Sequence, residues 1–176
     1  MYKRQVNTWL TRWLVNGGID ALGMSGVDLG LVRVEPLRPN GLDIGFVGRV
    51  VGVRAEPLHL LLANGIVPVI SPISLGVDGL SYNVNADQVA AAVAVALGAG
   101  RLIFVSNVPG VIIDDALAPQ LSIANVEAHI AGGQISGGMV PKVRSAIEAV
   151  QAGVPAAVIT NLEGLRKGGV GSEIVR

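Results

Sequence analysis

The chain has 176 residues, of which 51% are hydrophobic and 15% are charged, a composition that excludes intrinsic disorder and fits one folded domain. Thirteen Lys and Arg balance thirteen Asp and Glu, so the net charge offers no basic field for nucleic acid. Cysteine is absent, which excludes disulfide bonds and cysteine-ligated metal sites.

Helical and strand patterns alternate along the chain. The apolar spacing predicts a first helix over Val6–Val15, ended by Asn16-Gly17-Gly18. Further helices are predicted over residues 56–64, 88–97, 123–131 and 141–152. Apolar runs predict strands over residues 19–24, 29–34, 45–53, 67–73, 102–105, 156–159 and 173–175. This alternation predicts an α/β fold, a three-layer α/β/α sandwich with a mainly parallel open sheet.

Neither a membrane segment nor a signal peptide is predicted. The longest uncharged stretch, Pro57–Val77, reaches membrane-spanning length, but Asn64-Gly65, Pro68 and Pro72 interrupt it. We therefore expect a cytoplasmic protein. The first residues, Met1–Gln5, fit nothing downstream, and we interpret them as an adapter artefact joined to an N-terminally truncated gene.

The segment Asn83-Val84-Asn85-Ala86-Asp87 is the first candidate site. In extended backbone, Asn83, Asn85 and Asp87 would point to one side and could together grip a small polar ligand. The alternative is that Asp87 only caps the following helix while the asparagines fill a turn.

Two further segments are candidate sites. One leads into a predicted helix, and the other follows a predicted strand. In Ile135–Lys142, Pro141 is predicted at the first position of a helix, which places Lys142 in its first turn. A cation there is disfavoured by the helix dipole unless an anion such as a phosphate shares the site; the alternative is a solvated lysine. The segment Ser106–Gly110 follows a core strand, where α/β folds bind nucleotides. His59 and His129 are interpreted as structural, and no metal-binding group is predicted.

Several segments, in order, resemble the acetylglutamate kinases of the amino-acid kinase family. They are Leu22-Gly23-Met24-Ser25-Gly26-Val27-Asp28, Gly45-Phe46-Val47-Gly48, Asn83-Val84-Asn85-Ala86-Asp87-Gln88, Val108-Pro109-Gly110-Val111, Ser136-Gly137-Gly138-Met139-Val140-Pro141-Lys142-Val143 and Gly171-Ser172-Glu173-Ile174. The resemblance implies the amino-acid kinase fold and ATP-dependent phosphorylation of the side-chain carboxylate of N-acetyl-L-glutamate in arginine biosynthesis. It also implies ATP and Mg²⁺ as cofactors and a homo-oligomeric parent enzyme.

The resemblance also implies a role for individual residues. Asn83 and Asn85 would bind the substrate, Asp87 would hold the catalytic lysines in place, and Lys142 would stabilise the transferring phosphoryl group. The residues that would line the ATP site are Ser106, Asn107, Val108, Pro109, Gly110, Val111, Ile112, Gln134, Ile135, Ser136, Gly138 and Met139. Residues 6–53 would be the remainder of an N-terminal substrate-binding and dimerisation lobe, and residues 54–176 a C-terminal ATP-binding lobe, within one continuous domain.

The sequence departs from the family pattern in two ways. The opening strand with its Gly-Gly turn and second lysine, and the substrate-clamping turn with its arginine, are not found, so we expect the N-terminal part to be missing and this chain alone to be inactive. Asn107 lies where acetylglutamate kinases commonly have Asp, and Ser-Asn-Val-Pro-Gly is also similar to kinases for carrier-protein-linked aminoadipate or glutamate. A non-catalytic nucleotide-binding relative is the remaining alternative.

Overall fold

The computed structural model describes the backbone of residues 2–176 and the side chains of residues 3–176. It divides into two compact units, a first unit up to Leu97 and a second unit of Gly98–Arg176. Each unit has its own β-sheet and helices, and each is described separately below.

The first unit contains helices and strands in alternation. The helices are α1 (Tyr2–Asn16), α2 (Glu56–Ala63) and α3 (Ala86–Ala96). The strands are β1 (Ala21–Gly26), β2 (Val32–Pro36), β3 (Gly48–Val53), β4 (Val67–Gly76) and β5 (Ser81–Asn83). The sheet order is β1-β4-β2-β3, and β5 also pairs with β4. The pairs β1/β4 and β2/β4 are parallel, whereas β2/β3 and β4/β5 are antiparallel.

The core of the first unit lies between this sheet and its helices. Val32, Val34, Leu58 and Val84 are fully buried in one apolar cluster. Helix α1 packs on β1 at Gly23, where a Cβ atom would lie only 2.7 Å from the Oδ1 atom of Asn7. The Asn7 side chain is itself fixed, because its Nδ2 atom donates to the carbonyl oxygens of Met24 at 3.2 Å and Val69 at 2.6 Å. Close approach of α1 to the sheet therefore requires glycine at position 23.

The second unit is built on a four-stranded sheet in the order β6-β10-β11-β9. Its strands are β6 (Leu102–Val105), β7 (Ile112–Ile113), β8 (Ala116–Leu117), β9 (Gln120–Ser122), β10 (Ala157–Thr160) and β11 (Ser172–Val175). Its helices are α4 (Ile123–Ala131), α5 (Met139–Gln151) and α6 (Leu162–Arg166). Strand β10 is parallel to β6 and antiparallel to β11, and β11 is parallel to β9. Strands β7 and β8 form a separate hairpin.

Burial in the second unit centres on β10 and α5. All four residues of β10 are buried, as expected for a central strand covered on both faces. Helix α5 presents a buried face that includes Val143, Ala146 and Val150. This stripe follows the helical period and packs α5 against the sheet.

The α/β class predicted from the sequence is confirmed, and both larger sheets are mixed, with parallel and antiparallel pairs. The lobe boundary predicted after residue 53 lies inside the first unit, because β4 (Val67–Gly76) pairs with β1 and β2. The functions assigned to the two lobes stay predictions. Among the described helices, none has both the length and the apolar character needed to cross a membrane.

Candidate active site

The turn from β5 into α3 carries the predicted substrate residues. Asn83 ends β5 and is exposed, whereas Val84 is fully buried. Asn85 caps α3, since its Oδ1 atom accepts hydrogen bonds from the backbone N–H of Asp87 at 2.8 Å and of Gln88 at 3.4 Å. Asp87 lies in the first turn of α3, where the helix dipole favours a carboxylate.

This geometry corrects two sequence-based expectations. The extended backbone reaches only to Asn85, so Asp87 does not alternate with Asn83 and Asn85 along a strand. The helix cap is Asn85 rather than Asp87, because the carboxylate two positions further on already belongs to the helix.

Asn83 contacts a lysine that the sequence analysis set aside. The Nζ atom of Lys3, in α1, donates to the Oδ1 atom of Asn83 and, at 3.1 Å, to the carbonyl oxygen of Val84. Desolvation by burial lowers the pKa of Lys3 from its ordinary value. On the other side, the backbone N–H of Asn83 donates to the carbonyl oxygen of Phe46 at 2.8 Å. Residues 2–5 continue α1, so the segment interpreted as an adapter artefact forms regular structure next to Asn83.

The predicted ATP-site segment 106–112 follows the carboxyl end of β6. It is held at both ends: the backbone N–H of Ser106 donates to the carbonyl oxygen of Thr160 at 2.7 Å, and that of Val111 donates to the Oγ atom of Ser172 at 2.8 Å. The Ser172 hydroxyl donates in turn to the carbonyl oxygen of Ala118 at 2.6 Å. The buried Ser172 therefore fixes the end of the segment in place.

The carboxyl end of β10 lies beside that of β6, with Val105 paired to Thr160. Asn161 follows directly and caps α6 by accepting a hydrogen bond from the backbone N–H of Gly164 at 2.8 Å. The Thr160 hydroxyl donates to the carbonyl oxygen of Val170 at 2.5 Å. The strand itself was predicted, but Asn161 was not considered, although an asparagine after an apolar run is a capping signal that could have identified it.

The second predicted ATP-site segment, residues 134–139, connects α4 to α5. The Oε1 atom of Gln134 lies 2.6 Å from the Nδ1 atom of His129, and its Nε2 atom donates to the Oδ1 atom of Asp114 at 3.2 Å. Ile135 is buried, whereas Ser136 and Gly138 are exposed. His129, interpreted as structural, thus positions a residue of this segment.

Lys142 lies at the end of the first turn of α5. The helix begins at Met139 after Gly138, so Pro141 is its third residue rather than its first, and Lys142 is its fourth. The helix starts earlier than predicted because proline is tolerated throughout the first turn, where its missing N–H would have no partner within the helix. The Nζ atom of Lys142 lies over the Phe104 ring, 5.3 Å from its centroid.

The structure places the predicted site residues in two groups. Asn83, Asn85 and Asp87 belong to the first unit. Segments 106–112 and 134–139 and Lys142 belong to the second unit. Within residues 2–176, no group of three or more His, Cys, Asp or Glu side chains could hold a metal ion.

Parallel strand pairs whose carboxyl ends lead into loops are typical of α/β proteins that bind ligands at the strand ends. Residues 4–161 match the amino acid kinase family, and the chain belongs to that family.

Individual relatives show which members of this family the chain is similar to. The chain is 54% identical over 165 residues to the acetylglutamate kinase of Chloroflexus aggregans, covering 93% of this chain and 65% of the relative. It is 44% identical over 181 residues to that of Rubrobacter xylanophilus, covering 100% of this chain and 70% of the relative. A crystal structure of smu.665 from Streptococcus mutans superimposes with a TM-score of 0.82 at 30% identity, covering 94% of this chain and 65% of that one.

These likenesses confirm the resemblance to acetylglutamate kinases. The chain spans about 65% of the length of the first of these relatives.

Proposed function

We propose that this chain carries the nucleotide-binding half and part of the substrate-binding machinery of an acetylglutamate kinase. The reaction transfers the terminal phosphoryl group of ATP to the side-chain carboxylate of N-acetyl-L-glutamate and belongs to arginine biosynthesis. The observation that carries the proposal is the second unit's adjacent strand ends, where segment 106–112 follows β6 beside Asn161. The identity to acetylglutamate kinases supports the substrate assignment.

The chemistry needs positioning and charge rather than a base. A glutamate side chain has a pKa of about 4.3, so the nucleophile is already ionised at neutral pH. What remains is to align two anions and to stabilise the charge on the transferring phosphoryl oxygens. A lysine near a helix N-terminus, such as Lys142 in α5, supplies that stabilisation.

Each residue group then has a distinct part. Segment 106–112, with residues 134–139, holds the nucleotide. Asn83 binds the acylated amino acid through its amide, and Asn85 orders the start of α3. Asp87 positions lysine side chains through its charge.

Mg²⁺ is proposed to arrive with the nucleotide. This ion is usually held by one or two carboxylates together with substrate phosphates, so the absence of a carboxylate cluster among the described residues is compatible with it. When bound, it would neutralise phosphate charge. We further propose a cytoplasmic location and a homo-oligomeric parent enzyme, consistent with a biosynthetic kinase.

Binding and chemistry can be tested separately by calorimetry and by trapping acyl phosphate as hydroxamate. We expect the chain to bind Mg-ATP and N-acetylglutamate but to turn over negligibly, since no Lys-x-Gly-Gly segment occurs in its sequence. Asn83→Ala should abolish N-acetylglutamate binding and leave Mg-ATP binding unchanged. Chains that bind neither ligand would refute the proposal, and full turnover would refute the expected inactivity.

Lys142→Ala tests the catalytic assignment in the enzyme of full family length. It should lower turnover about 10²–10³-fold with little change in substrate affinity, the usual effect of removing one transition-state stabiliser. Lys142→Arg should recover little of the rate, because a planar guanidinium does not replace a compact ammonium at one point. Turnover of Lys142→Ala within about twofold of the parent enzyme would refute the catalytic assignment of Lys142. Preference for an aminoadipate analogue would favour the alternative suggested by Asn107.

A further inference from the structure

The start of helix α1 brings a positive charge against Asn83, the asparagine to which substrate binding is assigned above. The Nζ atom of Lys3 donates to the Oδ1 atom of Asn83 and, at 3.1 Å, to the carbonyl oxygen of Val84. An ammonium group has three donors, so one donor of Lys3 is left for a further acceptor. Among the residues that the structure describes, no acceptor for this third donor is found.

Both partners of this contact are anchored to the sheet of the first unit. Asn7 lies one helical turn after Lys3 on the same face of α1, and its Nδ2 atom donates to a carbonyl oxygen of β1 and to one of β4. Asn83 is the last residue of β5 and pairs with Ile73 of β4. The position of the ammonium group relative to the Asn83 amide is therefore set by the packing of α1 and β5 on the sheet.

The contact also fixes the orientation of the Asn83 amide. Because Lys3 donates to the Oδ1 atom, the oxygen of the amide faces the lysine, and the N–H donors of the Nδ2 atom are turned away from it. Asn83 is exposed, so a ligand can reach these donors. The amide therefore presents N–H groups to a ligand that carries an acceptor.

The charge of Lys3 has no counterpart within the described part of the chain, where no carboxylate forms an ion pair with it. Lys3 is half-buried, and desolvation lowers its pKa from the ordinary value without an opposing effect of a nearby carboxylate. A partly buried cation without an opposite charge is unfavourable, and an anionic ligand relieves that cost. An ammonium group beside an amide N–H provides one donor for each oxygen of a carboxylate.

We propose that Lys3 is a specificity-determining residue, whose ammonium group binds a carboxylate of the acylated amino acid together with the Asn83 amide. This inference rests on the proposed function, which supplies the ligand. An asparagine amide alone accepts a neutral amide group or a carboxylate, whereas the charge of Lys3 makes the site select the carboxylate. N-Acetylglutamate carries one carboxylate on its side chain and one on its main chain, and two amide analogues tell which of them Lys3 binds.

The test measures the affinity of the whole chain for N-acetylglutamate and for both analogues by calorimetry. N-Acetylglutamine has an amide in place of the side-chain carboxylate, and N-acetylisoglutamine has one in place of the main-chain carboxylate. We expect one analogue to bind at least about tenfold more weakly than N-acetylglutamate, the usual effect of losing a hydrogen bond to a charged group. In Lys3→Met, N-acetylglutamate should bind about tenfold more weakly and that analogue should bind almost equally well, because neither ligand then meets an ammonium group.

The matched control is Arg4→Met, which removes the neighbouring cation of α1 and should change each affinity less than about twofold. Both variants should keep the Mg-ATP affinity of the parent chain and the fluorescence of the α1 tryptophans, which shows that the helix is still folded. Unchanged or tighter binding of N-acetylglutamate to Lys3→Met, or equal losses in Lys3→Met and Arg4→Met, would overturn this inference and leave the proposed function standing. A parent chain that binds no N-acetylglutamate would overturn both this inference and the assignment of Asn83.

Discussion

Ser172→Ala should both destabilise the second unit and loosen the end of the nucleotide-binding segment. The Ser172 hydroxyl is fully buried, accepts from the backbone N–H of Val111 at 2.8 Å and donates to the carbonyl oxygen of Ala118 at 2.6 Å. Removing it leaves the Val111 N–H buried without a partner, at a cost of about 1–3 kcal/mol, while the half-buried Ala118 carbonyl recovers part of its loss from water. We expect a total loss of about 2–4 kcal/mol in the free energy of unfolding.

The assay must report on the right unit. Both tryptophans, Trp9 and Trp13, lie in the first unit, so their fluorescence follows that unit while circular dichroism follows the whole chain. Urea unfolding of Ser172→Ala should show the loss by circular dichroism only, and the Val111 amide should exchange with solvent much faster. Ser122→Ala is the control: it removes the cap of α4, at about 1 kcal/mol, without changing Val111 exchange. A loss below about 0.5 kcal/mol for Ser172→Ala, with Val111 still protected, would refute this reasoning.

Three further substitutions test the first unit. Asn85→Ala removes the cap of α3 and should lower the free energy of unfolding by about 1 kcal/mol, measured by urea unfolding followed by tryptophan fluorescence. Asn85→Asp keeps a capping oxygen and should retain most of that stability. Gly23→Ala should lower the free energy of unfolding by about 1–3 kcal/mol and shift the fluorescence of the α1 tryptophans, because the new methyl group meets the fixed side chain of Asn7. An unchanged spectrum and an unchanged free energy of unfolding would contradict this. The Tyr82 hydroxyl donates to Asp78 at 2.6 Å and lowers the pKa of that carboxyl, so its stabilising effect is present above about pH 3.8 and is lost as the pH falls through the lowered pKa. Tyr82→Phe should return the pKa of Asp78 towards 3.8 in an NMR titration.

Most of the fold could be predicted because the long elements have strong periodic patterns. Helix α4 and strand β6 were predicted at the bounds that the structure has, 123–131 and 102–105. The missed elements are short. Helix α6 has five residues and strands β7 and β8 two each, which is too few for an apolar period to be recognised. The β7–β8 hairpin also depends on left-handed backbone at Asp114 and Asp115, a conformation that these residues adopt more readily than most.

The candidate site was predictable where chemistry is concentrated in a short segment, and not where it depends on distant contacts. The turn at Asn85 and the start of α5 near Lys142 are visible as capping and proline signals, although each helix begins at least one residue before its predicted start. The contact of Lys3 with Asn83 joins residues 80 positions apart and has no local signal. The hydrogen bond between the Val111 N–H and Ser172, 61 positions away, likewise has no local pattern in the sequence.

The two units share one feature of their sheets, a pair of neighbouring parallel strands. In each, two parallel strands lie side by side, β1 with β4 and β6 with β10, and in the second unit the polar residues Ser106 and Asn161 follow these strands directly. In the second unit, Lys142 and the start of α5 favour an anion. Phosphoryl transfer between two anions requires this kind of positioning, since an ionised carboxylate needs no base to attack. Two histidines and no cysteine are therefore compatible with the proposed reaction, because charge and geometry can replace the acid–base groups that other transferases use.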